Sequence, residues 1–92
     1  MKDRFKTLYD LTVTDLPNMS CEVVIRYYPK GWSNIYNQKS TITREAIRTL
    51  GRNDAILMEC QNICAKAYTK DWIKEQLWEE VKIVLKERFN IE

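Results

Sequence analysis

Cys60 and Cys64 stand four residues apart, the spacing that sets two thiols side by side on one helix face, and Cys21 supplies a third. Three thiolates could hold a metal, but a structural zinc site takes a fourth Cys or a His, and the chain contains no histidine. Histidine is also the usual base beside a Ser or Cys nucleophile, so the familiar triads cannot be built and the serines and threonines lack an activating partner. Cys60 and Cys64 both fall inside an apolar stripe, where a free thiol behaves as a small hydrophobe. The expectation is three reduced, structural thiols, with no metal, no cofactor and no enzymatic activity.

The second constellation is basic and aromatic. Between Arg26 and Arg52 there are six bases against one acid, Glu45, in a chain whose net charge is only +2. Tyr27, Tyr28, Trp32 and Tyr36 are interleaved with those cations, so flat aromatic surfaces and positive charge occur together where an acidic partner could dock. Arg44 and Arg48 are one helical turn apart, and Arg52 would extend the row just past the helix end; such a row can take phosphates or carboxylates in bidentate fashion. Trp32 follows Pro29-Lys30-Gly31 at a turn, and Trp, Tyr and Arg are the residue types that dominate binding hot spots. The candidate partner-binding residues are therefore Arg26, Tyr28, Lys30, Trp32, Tyr36, Lys39, Arg44, Arg48 and Arg52. The flanks compensate, since both carry more acids than bases, and the chain is dipolar with a positive middle.

These residues need elements to position them. Residues 8–16 alternate Tyr9, Leu11 and Val13 with Asp10, Thr12 and Thr14, a strand with one wet face. After Pro17-Asn18, residues Cys21, Val23, Ile25 and Tyr27 alternate with Glu22, Val24, Arg26 and Tyr28, so the two segments form an antiparallel hairpin with a loop of about four residues. A third strand is expected over Trp32–Asn37, with Trp32, Asn34 and Tyr36 on one face.

From Ser40 the period changes. Thr43 is a suitable N-cap for a short helix over Arg44–Leu50, with Glu45 in its first turn, and Gly51 suits a left-handed C-terminal cap. Asn53 or Asp54 would cap a second helix. From Ala55 to Tyr68 the residues Ile56, Leu57, Cys60, Ile63, Cys64, Ala67 and Tyr68 fall within about 140° of arc. Thr69 or Asp71 would cap a third helix running to Phe89, with Ile73, Leu77, Trp78, Val81, Val84, Leu85 and Phe89 on its apolar face; since no Gly or Pro intervenes, one continuous helix through Thr69-Lys70-Asp71 is the alternative. Trp72 and Ile83 lie off that face; either they pack beneath the strand connections or they form a second interface, through which the chain could dimerise or dock a partner. The fold class is α+β: a small antiparallel sheet of two or three strands in the N-terminal half, packed against three C-terminal helices in one compact domain over residues 1–92.

Ninety-two residues with 45% hydrophobic and 30% charged side chains suffice for a self-contained core. No apolar run approaches the roughly 20 residues that span a bilayer, the start Met1-Lys2-Asp3-Arg4-Phe5-Lys6 lacks the apolar stretch of a secretory signal, and three cysteines are no disulfide framework. A cytoplasmic protein without a membrane partner is expected. The Arg44–Gly51 stretch only faintly follows helix-turn-helix spacing, with five residues from Ala46 to Gly51 where four are usual. The sequence pI of about 8.4 is modest for a dedicated DNA- or RNA-binding module, which is the alternative function. The favoured expectation is a small interaction protein that occupies the surface of a protein or a protein–nucleic-acid complex. Phage- and mobile-element-encoded inhibitors and regulators work in this way, anti-CRISPR proteins among them.

Overall fold

The computed structural model describes residues 6–30 and 34–92. Strands β1 (Leu8–Asp15), β2 (Cys21–Tyr27) and β3 (Tyr36–Ile42) form an antiparallel sheet in the order β1-β2-β3, followed by helices α1 (Arg44–Leu50), α2 (Arg52–Ala65) and α3 (Asp71–Phe89). The fold is α+β. Among the described residues no helix is long and apolar enough to cross a membrane.

β2 is the centre of the sheet because its alternation is cleanest: Cys21, Val23, Ile25 and Tyr27 are all buried beneath the helices, while Glu22, Val24 and Arg26 turn to the other face. On β1 the alternation slips. The register jumps between Leu8 and Asp10, so a bulge at Tyr9 puts both Leu8 and Leu11 in the core and leaves Tyr9 half exposed, where strict alternation had placed it inside. The connection to β2 takes Leu16–Ser20, with Met19 at φ 61° in the tight turn.

β3 starts at Tyr36 and runs to Ile42, later than the expected Trp32–Asn37. Its pairing with β2 explains the shift. Seven consecutive partners from Cys21↔Ile42 to Tyr27↔Tyr36 outweigh a weak, polar alternation, and Ile42 alone on the strand is buried. Trp32 lies outside the described residues.

Thr43 caps α1 as its chemistry suggests, its Oγ1 accepting from the Ala46 N–H at 3.1 Å. Gly51 closes α1 and opens α2 at once, with φ 90° and ψ 149°, a conformation open to glycine rather than the left-handed helical one expected. Consequently α2 begins at Arg52, and Asn53 and Asp54 lie in its first turn instead of capping it. The helix ends at Ala65, three residues before Tyr68, which is thereby released from the apolar stripe. Lys70 takes the N-cap position of α3 with no side-chain cap bond: Thr69 stands one residue earlier, its hydroxyl on the Pro29 carbonyl, and Asp71 lies in the first turn instead of capping the helix. At the far end Asn90 adopts the left-handed conformation and the Ile91 N–H bonds the Leu85 carbonyl at 2.9 Å, burying Ile91.

α2 lies over β2 and β3 and α3 over β1. Ile56, Cys60, Ile63 and Cys64 from α2 and Leu77, Val81 and Leu85 from α3 form one core with the sheet, each large apolar side chain contributing about 1.5–3 kcal/mol by its burial. The opposite sheet face carries Thr12, Thr14, Arg26, Asn37, Lys39 and Thr41, all exposed.

Candidate functional site

At the Tyr27/Tyr36 end of the sheet the chain leaves β2 through Pro29 and Lys30, and the turn between α2 and α3 is tied down beside it. Tyr27 is fully buried; its hydroxyl donates to Gln38 Oε1 and accepts from the Tyr68 N–H, both at 2.9 Å. Burial pushes that phenol above its ordinary range, so it stays a neutral donor. The Thr69 hydroxyl donates to the Pro29 carbonyl, fixing the turn to the sheet exit. Tyr68 is thereby held outward, 71% exposed, with its ring edge-on to Tyr36 at 5.9 Å, while Tyr36 leans on Tyr27 at 6.0 Å.

Beyond Tyr68 opens a groove of about 860 Å³, walled by Pro29, Ala67, Tyr68, Trp72 and Ile73 and rimmed by Lys30 and Lys70. Trp72 is 54% exposed at the start of α3. Among the described residues neither lysine has a carboxylate within ion-pair distance; the nearby Asp71 pairs with Lys74 at 3.6 Å. This end therefore combines apolar aromatic surface with unneutralised positive charge.

The opposite end of the sheet, about 20 Å away along a seven-residue strand, is built differently. Arg52 Nη2 lies 3.0 Å and Nε 3.2 Å from Asp15 Oδ1, and the Cys21 thiol donates to the same oxygen at 3.2 Å. The thiol and the guanidinium together hold the Asp15 carboxyl below the usual carboxylate range, and burial pushes the Cys21 thiol up. Arg52 is thus engaged and does not extend the row. Arg44 and Arg48 remain exposed on α1, and among the described residues neither is ion-paired.

The other candidates are spread between these ends. Arg26 and Lys39 stand on the open sheet face, with Lys39 4.0 Å from Glu22. Tyr28 meets Tyr9 edge-on at 5.8 Å. Ile83 is 54% exposed beside a second recess of about 410 Å³ between β1 and α3, lined by Tyr9, Glu80, Val84 and Arg88. Trp72 and Ile83 are both exposed rather than packed beneath the strand connections, and they line different recesses. The positive block of the sequence is accordingly three surfaces, and the one with Lys30 and Tyr36 is joined to the apolar groove.

Tyr68 and Lys70 complete that site and went unread as site residues, because Tyr68 fits the spacing of the α2 stripe. Its signal was the following Thr69-Lys70-Asp71, a polar run that ends the helix early.

The thiols do not converge: Cys21 sits at the Asp15 end, Cys60 and Cys64 lie along α2, and among the described residues no three metal-ligating side chains gather. Burial pushes Cys60 and Cys64 up to about 12, which leaves them protonated and unreactive at neutral pH. Ser40 donates to the Glu59 carboxylate at the margin of the core, a pair that anchors α2 to β3. No protein-family model, curated protein or solved structure matches the chain.

Proposed function

We propose that this chain is a small interaction protein that docks onto a protein or nucleoprotein partner through its Tyr36–Tyr68–Trp72 end, and acts as an accessory inhibitor or regulator of that partner by occupying its surface. The observation that carries this reading is the apolar groove rimmed by Lys30 and Lys70. Exposed large aromatics are costly to leave in water, and their concentration at one end, beside cations with no acid paired to them among the described residues, has the layout of an interface centre with a charged rim. The lysines steer and orient an acidic partner while the rings supply the contact area.

Affinity capture with the wild-type chain, with and without nuclease, tests the reading against charge reversal at Lys30 and Lys70. A partner retained after nuclease and lost with the double reversal, in protein of unchanged melting temperature, is expected. Capture that survives the reversal overturns it.

A direct DNA- or RNA-binding role is the second reading, favoured by exposed Arg44 and Arg48 on α1. It requires saturable, steeply salt-dependent binding of a single- or double-stranded oligonucleotide that Arg44→Glu plus Arg48→Glu removes.

A further inference from the structure

The two free edges of the sheet are not alike. β1 is interrupted by the Tyr9 bulge, and the Glu80 carboxylate on α3 takes the Thr7 and Leu8 N–H groups at 2.8 to 3.3 Å, so its start is bent and capped. β3 has neither protection. Its register with β2 runs unbroken over seven residues, without bulge or proline.

The direction of its backbone groups follows from the hairpin. The Leu16 N–H donates to the Ser20 carbonyl at 2.8 Å and the Tyr28 N–H to the Thr7 carbonyl at 2.8 Å, so the even-numbered residues of β2 face β1. By the alternation of an antiparallel ladder, Cys21, Val23, Ile25 and Tyr27 bond to β3. Their partners Ile42, Ser40, Gln38 and Tyr36 turn inward, which leaves the N–H and C=O of Asn37, Lys39 and Thr41 pointing out of the sheet. Among the described residues nothing bonds to these groups, and all three residues are exposed.

Recesses bracket this edge on the helical side. At its Tyr36 end lies the Tyr68–Trp72 groove, one aromatic ring away. At its Ile42 end lies a smaller cleft of about 210 Å³ lined by Thr41, Leu50, Met58 and Asn62, in which Leu50 and Met58 are half exposed. Strand addition draws affinity from main-chain bonds and specificity from recesses that take alternate side chains.

We infer that β3 accepts an extended acidic segment of the partner protein as a fourth strand. This rests on the docking reading above and adds the conformation of what is docked. Apolar side chains near the two ends of the segment would enter the two recesses, about six residues apart for a 20 Å span. Acidic side chains between them would lie on the open face beside Lys39, in competition with its 4.0 Å contact to Glu22, with Lys30 at one end and Arg44 at the other. A second copy of the chain fits less well, because two-fold pairing about the middle of β3 sets Lys39 against Lys39.

The test uses a fluorescein-labelled synthetic heptapeptide with leucine at both ends and glutamates alternating with threonines between, titrated by anisotropy with the full chain. Saturable binding below about 500 µM is expected. N-methylation of one alternate set of peptide amides should weaken it by at least about tenfold, while methylating the other set leaves it unchanged, since only one set faces β3. Lys39→Pro, which removes an outward N–H without touching the bonds to β2, should do the same as the first set. The inference is overturned by no saturable binding, by equal effects of the two methylated peptides, or by a β3-dependent dimer of the free protein in sedimentation velocity. If the peptide fails while charge reversal at Lys30 and Lys70 still abolishes partner capture, strand addition falls and docking at the groove stands.

Discussion

The two ends of the sheet carry similar numbers of cations and use them in opposite ways. At the Cys21/Ile42 end Arg52 is spent within the molecule, forked onto an Asp15 oxygen that also accepts from Cys21, and Arg44 and Arg48 stand on a short helix whose neighbouring recesses, a hollow beside Thr49 and the cleft under Leu50, are smaller than the groove at the other end. At the Tyr27/Tyr36 end Lys30 and Lys70 have no acidic partner among the described residues and flank an apolar groove. A run of charge in sequence therefore overstates what a partner can feel. Position relative to exposed apolar surface, and the absence of an internal counter-charge, decide which cations are available for docking.

The sharpest way to break that comparison is to truncate the rings. Tyr68→Ala with Trp72→Ala should weaken partner binding by about 30-fold or more, on the order of 2 kcal/mol for two hot-spot aromatics, whereas Arg44→Glu with Arg48→Glu should cost several-fold less; titration calorimetry with the captured partner reads both. Equal losses would return the arginine end to the interface.

Core thiols provide the next largest effect. Cys60→Ala with Cys64→Ala should lower folding stability by about 1–3 kcal/mol in urea titration without altering partner affinity. Alkaline pH gives an independent reading of the same burial. The folded state keeps these thiols protonated up to about 12, against an ordinary value of 9.0, so the stability they contribute is whole below pH 9 and lost as pH rises from 9 towards 12. Each adds a slope of about 1.4 kcal/mol per pH unit in that window, and the double alanine variant should show a flatter fall between pH 9 and 10.5.

A smaller effect belongs to Gly51. A Cβ there would meet nothing within 4 Å, so Gly51→Ala isolates the strain of φ 90°, on the order of 1–2 kcal/mol, as a lower melting temperature. Smallest is Asp15→Asn, which removes the carboxylate from an ion pair open to solvent and should leave the melting temperature nearly unchanged.

How far the sequence carried these conclusions depended on how strongly each position was buried. The α+β order, the β1–β2 hairpin and the core faces of α2 and α3 were legible because apolar residues recur at period 2 or 3.6 in long runs. The Tyr9 bulge was not, since it exchanges one apolar residue for another, Leu8 for Tyr9, and leaves composition unchanged. β3 was misplaced by four residues because Gln38, Lys39, Ser40 and Thr41 carry no apolar signal; β2 holds them through the backbone ladder and through polar contacts such as Tyr27 with Gln38. At the site, Lys30, Tyr36 and Trp72 were each singled out, but nothing in their spacing says that one hydroxyl, that of Tyr27, draws the α2–α3 turn over to the sheet and so brings Trp72 beside Lys30.

Contact with the partner is proposed at the groove end. Site-specific photo-cross-linking tests this, with a benzophenone side chain placed in turn at Tyr68 and at Arg48 of the chain and irradiated in lysate treated with nuclease. Cross-linking of a protein partner from position 68, competed by excess wild-type chain, with little or none from position 48, is the expected result. Cross-linking from position 48 alone would contradict the account.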